Sequence, residues 1–380
     1  MRFLKSLTIG LLLGASATTV QAQDMHFTMF DMVPLELNPT YTGYYSGTFR
    51  IGGLYRSQWG GLSISPDGFG SVGGFSGYQT PSAYIDAPLA PFPKKGREGN
   101  VKSWMGAGLS VTMDKANGGL LDDSGLSTLR ASLSLAYHLG LGENGKTILS
   151  FGLKGGIMQF RTTADQYIYE DAIIANGGTT TPGFDRTLTS ESLQNSSATA
   201  PDFTGGLMLS HRSRNIRFQL ATSLNHFTTP EYNFLATEAK MPMTLLSNFI
   251  MEADLGKRFQ LKPLLFFHNI LTPSVGTDGG FSAYELNAQL LFGIHFNRAK
   301  DITMYLGGGY RVSDAAIARV GIDIKGFSFG FAYDINLGDG LSYNAFAKNN
   351  RGTAFELGVS YIAKLYKVAV VEDVLFCPRF

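Results

Sequence analysis

Every second residue is apolar in one short stretch after another along this chain, and that recurrence limits the fold more than any single motif does. Phe327–Leu337 reads F-S-F-G-F-A-Y-D-I-N-L. Successive side chains of an extended strand point to opposite sides. Phe327, Phe329, Phe331, Tyr333, Ile335 and Leu337 then form an apolar face, and Ser328, Gly330, Ala332, Asp334 and Asn336 form a small, polar reverse face. Strands of a soluble sandwich alternate too, so the number of copies and what separates them must decide the fold class.

Fourteen segments carry strand character: 48–59, 80–89, 103–114, 125–139, 146–161, 203–211, 215–226, 243–255, 258–269, 281–296, 301–311, 315–324, 326–337 and 352–363. The second is the weakest, because Pro81 and Pro88 flank it. Many of the others reach the roughly 9–11 residues that a tilted strand needs to cross a bilayer. Short turns at Gly140–Gly145, Arg212–Arg214, Gly256–Lys257, Asn297–Lys300 and Lys325–Gly326 alternate with longer polar, glycine-rich loops. The longest is Thr162–Asp202. Two connections break the rule: Pro91–Lys102 is long where a short turn is due, and Val312–Asp314 is short where a loop is due. A soluble sandwich would gather its apolar faces into one core through Greek-key connections. The meander here, with more apolar faces than one core needs, predicts an all-β chain: a transmembrane up-and-down antiparallel β-barrel of about fourteen strands over residues 48–363. Both ends of such a barrel, and its short turns, face the periplasm.

The N-terminus carries Arg2 and Lys5, then the apolar run Leu7–Ala15, then Val20-Gln21-Ala22. That order predicts a secretory signal peptide over residues 1–22 and a mature chain from Gln23. As an uncleaved anchor the apolar run would be short for a bilayer. Export to the outer membrane follows. Setting Arg2 and Lys5 aside leaves 29 basic against 30 acidic residues, which gives no argument for a nucleic-acid partner. Cys377 is the only cysteine, so neither an internal disulfide nor a cysteine-based metal site is available. Residues 23–47, with Pro34 and Pro39, do not read as strand and are expected to form a plug or a periplasmic arm. Residues 364–380 form a tail whose apolar run fits a strand, a strand extension or a periplasmic segment.

No motif for chemistry stands out. The six histidines, His26, His138, His211, His226, His268 and His295, have no metal-binding spacing. Gly70–Gly77 and Gly307–Gly309 lack the Lys-Ser or Lys-Thr of a phosphate-binding loop. The reading is a non-enzymatic chain without cofactor or metal. Charges alternate onto the predicted lumen face at Arg50, Arg56, Glu285, Arg319, Asp323, Asp334 and Glu356. They form either a salt-bridge network that rigidifies or plugs the barrel, or a polar channel or docking surface. Trp59, Tyr55, Tyr78, Tyr84 and Tyr137 are candidates for the aromatic girdles at the lipid headgroups.

Two stretches resemble a known family. Gln23–Trp59 contains Q-D-M-H-F-T-M-F, P-L-E-L-N-P-T-Y-T-G and R-I-G-G-L-Y-R-S-Q-W; the C-terminal part has F-A-Y-D-I-N-L, F-E-L-G-V-S-Y and the terminal C-P-R-F. Both are similar to the PorP/SprF outer-membrane proteins of the type IX secretion and gliding-motility machinery of Bacteroidota. The residues that carry the match, and the candidates for partner contact, are Asn38, Pro39, Tyr41, Gly43, Tyr55, Arg56, Trp59, Tyr333, Asp334 and Glu356. The resemblance implies a barrel in outer-membrane lipid that works with the type IX machinery. Its implied partners are a large secreted adhesin bearing a C-terminal sorting domain and a periplasmic peptidoglycan-binding protein. A small-solute porin is the alternative.

Overall fold

Alternation places each strand's polar backbone in a ladder and leaves one face for the surroundings and one for the interior. The structure, a computed structural model, describes residues 27–58, 77–89, 103–116, 125–141, 146–163, 173–174, 183–184, 196–232, 239–271, 284–297, 302–337 and 353–365. The proposed signal peptide, Trp59, most of the 162–202 loop and the tail beyond Leu365 lie outside the described residues.

Fourteen antiparallel strands close into one barrel. They are β1 (Phe49–Gln58), β2 (Tyr78–Leu89), β3 (Ser103–Ala116), β4 (Gly125–Leu141), β5 (Thr147–Thr163), β6 (Ser196–Arg212) and β7 (Ile216–Asn225). The second half consists of β8 (Met243–Leu255), β9 (Phe259–Leu271), β10 (Tyr284–Asn297), β11 (Ile302–Arg311), β12 (Ala315–Ile324), β13 (Phe327–Asn336) and β14 (Thr353–Ala363). Each strand pairs with its neighbours in sequence order, and β1 pairs with β14 to close the seam, from Phe49↔Ala363 to Gln58↔Ala354. Closure removes the unpaired sheet edges that lipid could not satisfy.

The two faces of β13 separate as alternation requires: Phe329 is 45% exposed, whereas Asp334 is 3% exposed. Leu109, Leu153, Leu220, Leu290 and Leu357 are likewise more than half exposed on other strands. An apolar exterior of this kind is the surface a membrane barrel shows to lipid.

Two differences from the sequence reading have physical causes. Strands β5 and β6 extend the barrel wall beyond the expected ends, still paired at Thr162↔Ser196. Ser196–Asp202 is small and polar and shows no apolar alternation, so its strand character comes from the ladder alone. Pro81 lies inside β2, where the ladder to β3 breaks between Gln79↔Lys115 and Ser82↔Thr112. Proline has no N–H to donate, so an interruption is where a strand tolerates it.

Residues 27–47 run inside the barrel. They form a 3-10 turn at Phe30–Met32, one helical turn at Pro34–Leu37 and a second 3-10 turn at Pro39–Tyr41. Met29, Leu35, Thr40 and Tyr45 are fully buried. Thr28, near the start of the described segment, lies beside Asp334 and Glu356 near the long-loop end. The segment finishes where the Thr48 N–H donates to the Ala363 carbonyl (2.7 Å), at the short-turn end. It therefore spans the lumen from one mouth to the other.

Candidate functional site

The candidate site is the lumen together with the segment that fills it. A chain crossing a closed barrel needs partners for its own backbone and charges, and the wall supplies them at three levels.

At the long-loop mouth, Glu356 accepts from the Thr28 and Met29 backbone N–H groups, each at 2.6 Å. Arg56 donates to Glu356 (2.6 Å), to the Thr28 hydroxyl (3.0 Å) and to Asp334 (3.2 Å). The Thr28 hydroxyl donates to Asp334 (2.6 Å), and the Gln289 amide donates to the Thr28 carbonyl (2.7 Å). Arg311 completes the cluster against Asp334, with Glu285 3.7 Å away. Met29 and Met32 lie over Gly330 and Gly358, and an added Cβ at either glycine would come within 3 Å of a methionine sulfur.

At mid-height, Asp31 is held by Arg319 (2.7 Å) and Lys262 (3.1 Å). Both cations converge on a carboxylate that is 1% exposed, so the charge inside the barrel is paired rather than solvated. Glu36 meets Lys154 of the wall at 3.4 Å. Phe30 stacks on Phe266 of β9 at 5.3 Å.

At the short-turn mouth, Arg50 makes a two-pronged contact with Asp86, both nitrogens at 2.9 Å, and donates to the Tyr41 carbonyl. Asp86 also accepts from the Gly43 N–H (2.7 Å). Trp104 donates to the Gly43 carbonyl (3.1 Å), and His138 meets the Thr42 carbonyl at 2.9 Å. Asn248 donates to the Tyr41 hydroxyl (2.6 Å). The wall comes unusually close here. A Cβ on Gly106 would sit 2.0 Å from the Thr42 carbonyl oxygen, and one on Gly206 would sit 2.2 Å from the Asn38 side chain.

The structure therefore brings many of the sequence candidates together. Asn38, Pro39, Tyr41 and Gly43 lie in the lumen, with Asn38 capping the last 3-10 turn through Thr40 (2.9 Å). Arg56, Asp334 and Glu356 form one cluster, Arg319 reaches Asp31, and Arg50 reaches Asp86. Asp323 is buried in the wall opposite Ser328, and Glu285 serves Arg311. Tyr55 and Tyr333 point outward instead; Tyr55 packs 6.1 Å from Phe355. Tyr84 is not a girdle residue: it is 5% exposed on the lumen face, with Arg50 5.5 Å above its ring. Its position shares the inward parity of Ser82 and Asp86, which ring type alone does not reveal.

The sequence reading missed Asp31, Asp86, Lys262, Gln289 and Arg311. Parity along β2 is the signal for Asp86. Along β9 that signal is hidden, because its inward face mixes Lys262 with Leu264 and Phe266, which pack on the inner segment. Among the described residues, no group of three or more His, Cys, Asp or Glu is placed to hold a metal.

A model of the PorP/SprF family, type IX secretion system membrane proteins, matches residues 19–361. The chain belongs to this family. No curated protein matches it. Solved structures similar to this PorP/SprF chain include two toluene transporters and an autotransporter translocator domain. The Ralstonia pickettii toluene transporter TbuX is 12% identical, with 88% of this chain and 94% of that one covered at a TM-score of 0.46. The Pseudomonas putida toluene transporter TodX is 10% identical over 90% and 99%, TM-score 0.44. The translocator domain of the autotransporter NalP from Neisseria meningitidis is 12% identical over 88% and 96%, TM-score 0.39.

Proposed function

We propose that this outer-membrane barrel is a non-enzymatic scaffold of type IX secretion, supporting export or surface attachment of a large adhesin with a C-terminal sorting domain. The loops at the long-loop mouth receive or retain the cargo. The short-turn face and the C-terminal end of the chain engage the machinery, including a periplasmic peptidoglycan-binding protein.

One observation carries this reading: the lumen is occupied from mouth to mouth by residues 27–47, fixed by the buried ion pairs of Asp31 and by backbone N–H groups that donate to Glu356 and Asp86. A barrel working as a small-solute porin needs an aqueous path through that space. A scaffold gains from the filling, because a packed interior stiffens the wall that presents the loops. The test is purification of the tagged full-length protein from its native membrane, with cargo followed at the cell surface. The reading predicts that a large secreted protein and machinery components co-elute, and that deleting the barrel removes that protein from the surface. Unchanged surface display after deletion would rule it out.

A further inference from the structure

The described residues at the short-turn end carry six exposed cations: Lys146, Arg214, Lys257, Arg258, Lys325 and Lys364. Their positions on the barrel are spread out. Lys146 precedes β5, Arg214 joins β6 to β7, Lys257 and Arg258 join β8 to β9, Lys325 joins β12 to β13, and Lys364 follows β14. Among the described residues no exposed carboxylate shares this end. Asp254, the nearest approach to one, is 19% exposed and lies 3.9 Å from Arg217 and 3.7 Å from His295. At the opposite mouth the exposed Glu231 is matched by Lys240 at 2.6 Å.

The level of these cations matters as much as their sign. Arg214 sits two residues before the exposed Ile216, and Lys257 and Arg258 lie between Leu255 and Phe259, both exposed. Lys325 sits two residues before the exposed Phe327, and Lys364 is followed by Leu365 at 68% exposure. Arg214, Lys257, Arg258 and Lys325 therefore hang just past the edge of the apolar exterior, where lysine and arginine stems lie along hydrocarbon and their heads reach the polar layer. A compact acidic protein would need the cations gathered on one sector, but they are distributed around the perimeter as an annulus of lipid is.

We propose that this ring binds the phosphate groups of anionic glycerophospholipid in the leaflet facing the periplasm, fixing the depth and sidedness of the barrel. The proposal rests on the membrane-barrel fold and not on the scaffold role, so either can fail without the other. The attraction is that of a basic cluster for an anionic membrane surface.

Native mass spectrometry of the full-length barrel, released from micelles doped in turn with phosphatidylglycerol, phosphatidylethanolamine or lipid A, tests it. Phosphatidylglycerol should be retained over phosphatidylethanolamine by roughly threefold or more, and over lipid A, with the preference declining as salt is raised because exposed charges are screened. The variant R214Q/K257Q/R258Q/K325Q should lose the preference while keeping heat-modifiable migration. The salt series on the unaltered protein decides the matter if that variant does not fold. Equal retention of the two glycerophospholipids, a salt-independent preference, or an unchanged preference in a folded variant would overturn the ring. Stronger retention of lipid A would overturn its assignment to the periplasmic leaflet.

Discussion

Arg56 on the first strand and Glu356 on the last are register partners across the barrel seam, 2.6 Å apart, and the same Glu356 carboxylate holds the Thr28 and Met29 backbone. Closing the barrel and seating its inner segment therefore share one buried ion pair. Removing one partner of such a pair costs about 3–5 kcal/mol, because the other charge stays buried without its counterion. Arg56→Met should lower the unfolding free energy by about that amount, read from denaturant unfolding in detergent. A change below ~1 kcal/mol would mean that the seam cluster is solvated rather than buried.

Asp31 gives a pH dependence of determined sign. Its carboxylate pairs with Arg319 and Lys262 inside the barrel, so the contribution of these pairs requires the ionised form. That contribution is lost as acid protonates the carboxyl. Asp31→Asn removes it at neutral pH and leaves Arg319 and Lys262 buried together. The variant should be destabilised at pH 7, and the difference from the unaltered protein should shrink in strong acid. A difference that grew as pH fell below 4 would contradict the assignment.

Gly206 tests the close approach of wall and segment. A valine there would drive its Cβ into Asn38, and that part of the segment must shift. Gly206→Val should therefore raise proteolytic access to residues 36–42 while the barrel still migrates as heat-modifiable. Access identical to that of the unaltered protein would count against a tightly packed lumen.

The two faces of β13 should respond differently to charge. Phe329→Lys places an ammonium against lipid, costing roughly 2–4 kcal/mol near the midplane, and should impair membrane assembly. From alternation alone, a charge at Gly330 would be expected to be tolerated, as at Ser328. The structure revises this, because Gly330 is covered by Met29 and Met32. Gly330→Asp should insert into the membrane but loosen the segment around Met29, which cysteine accessibility at Thr28 would report. Normal protection at Thr28 in that variant would argue that the methionines do not rest on the wall.

Much of the barrel was legible in the chain because its periodicity is local. Phe327–Leu337 states its two faces without reference to any other strand. Fourteen segments correspond to fourteen strands, and the errors fall where local signals end, as at Ser196–Asp202, whose pairing with β5 has no apolar trace. The interior was legible only in part. The inward charges Arg56, Asp334 and Glu356 follow from parity, but what they hold does not, since Thr28 and Glu356 lie 328 residues apart. The parity of β9 is blurred because Phe266 faces Phe30 of the same chain rather than water. A filled lumen makes both faces of a strand apolar, which removes the contrast that alternation depends on.

The lumen is closed by the chain's own residues 27–47. Conductance of the purified full-length protein in planar bilayers measures it directly. The unaltered protein should show no steady, large conductance, and conductance should increase when Asp31→Asn is combined with Gly206→Val. A steady, large, weakly selective pore in the unaltered protein would contradict it.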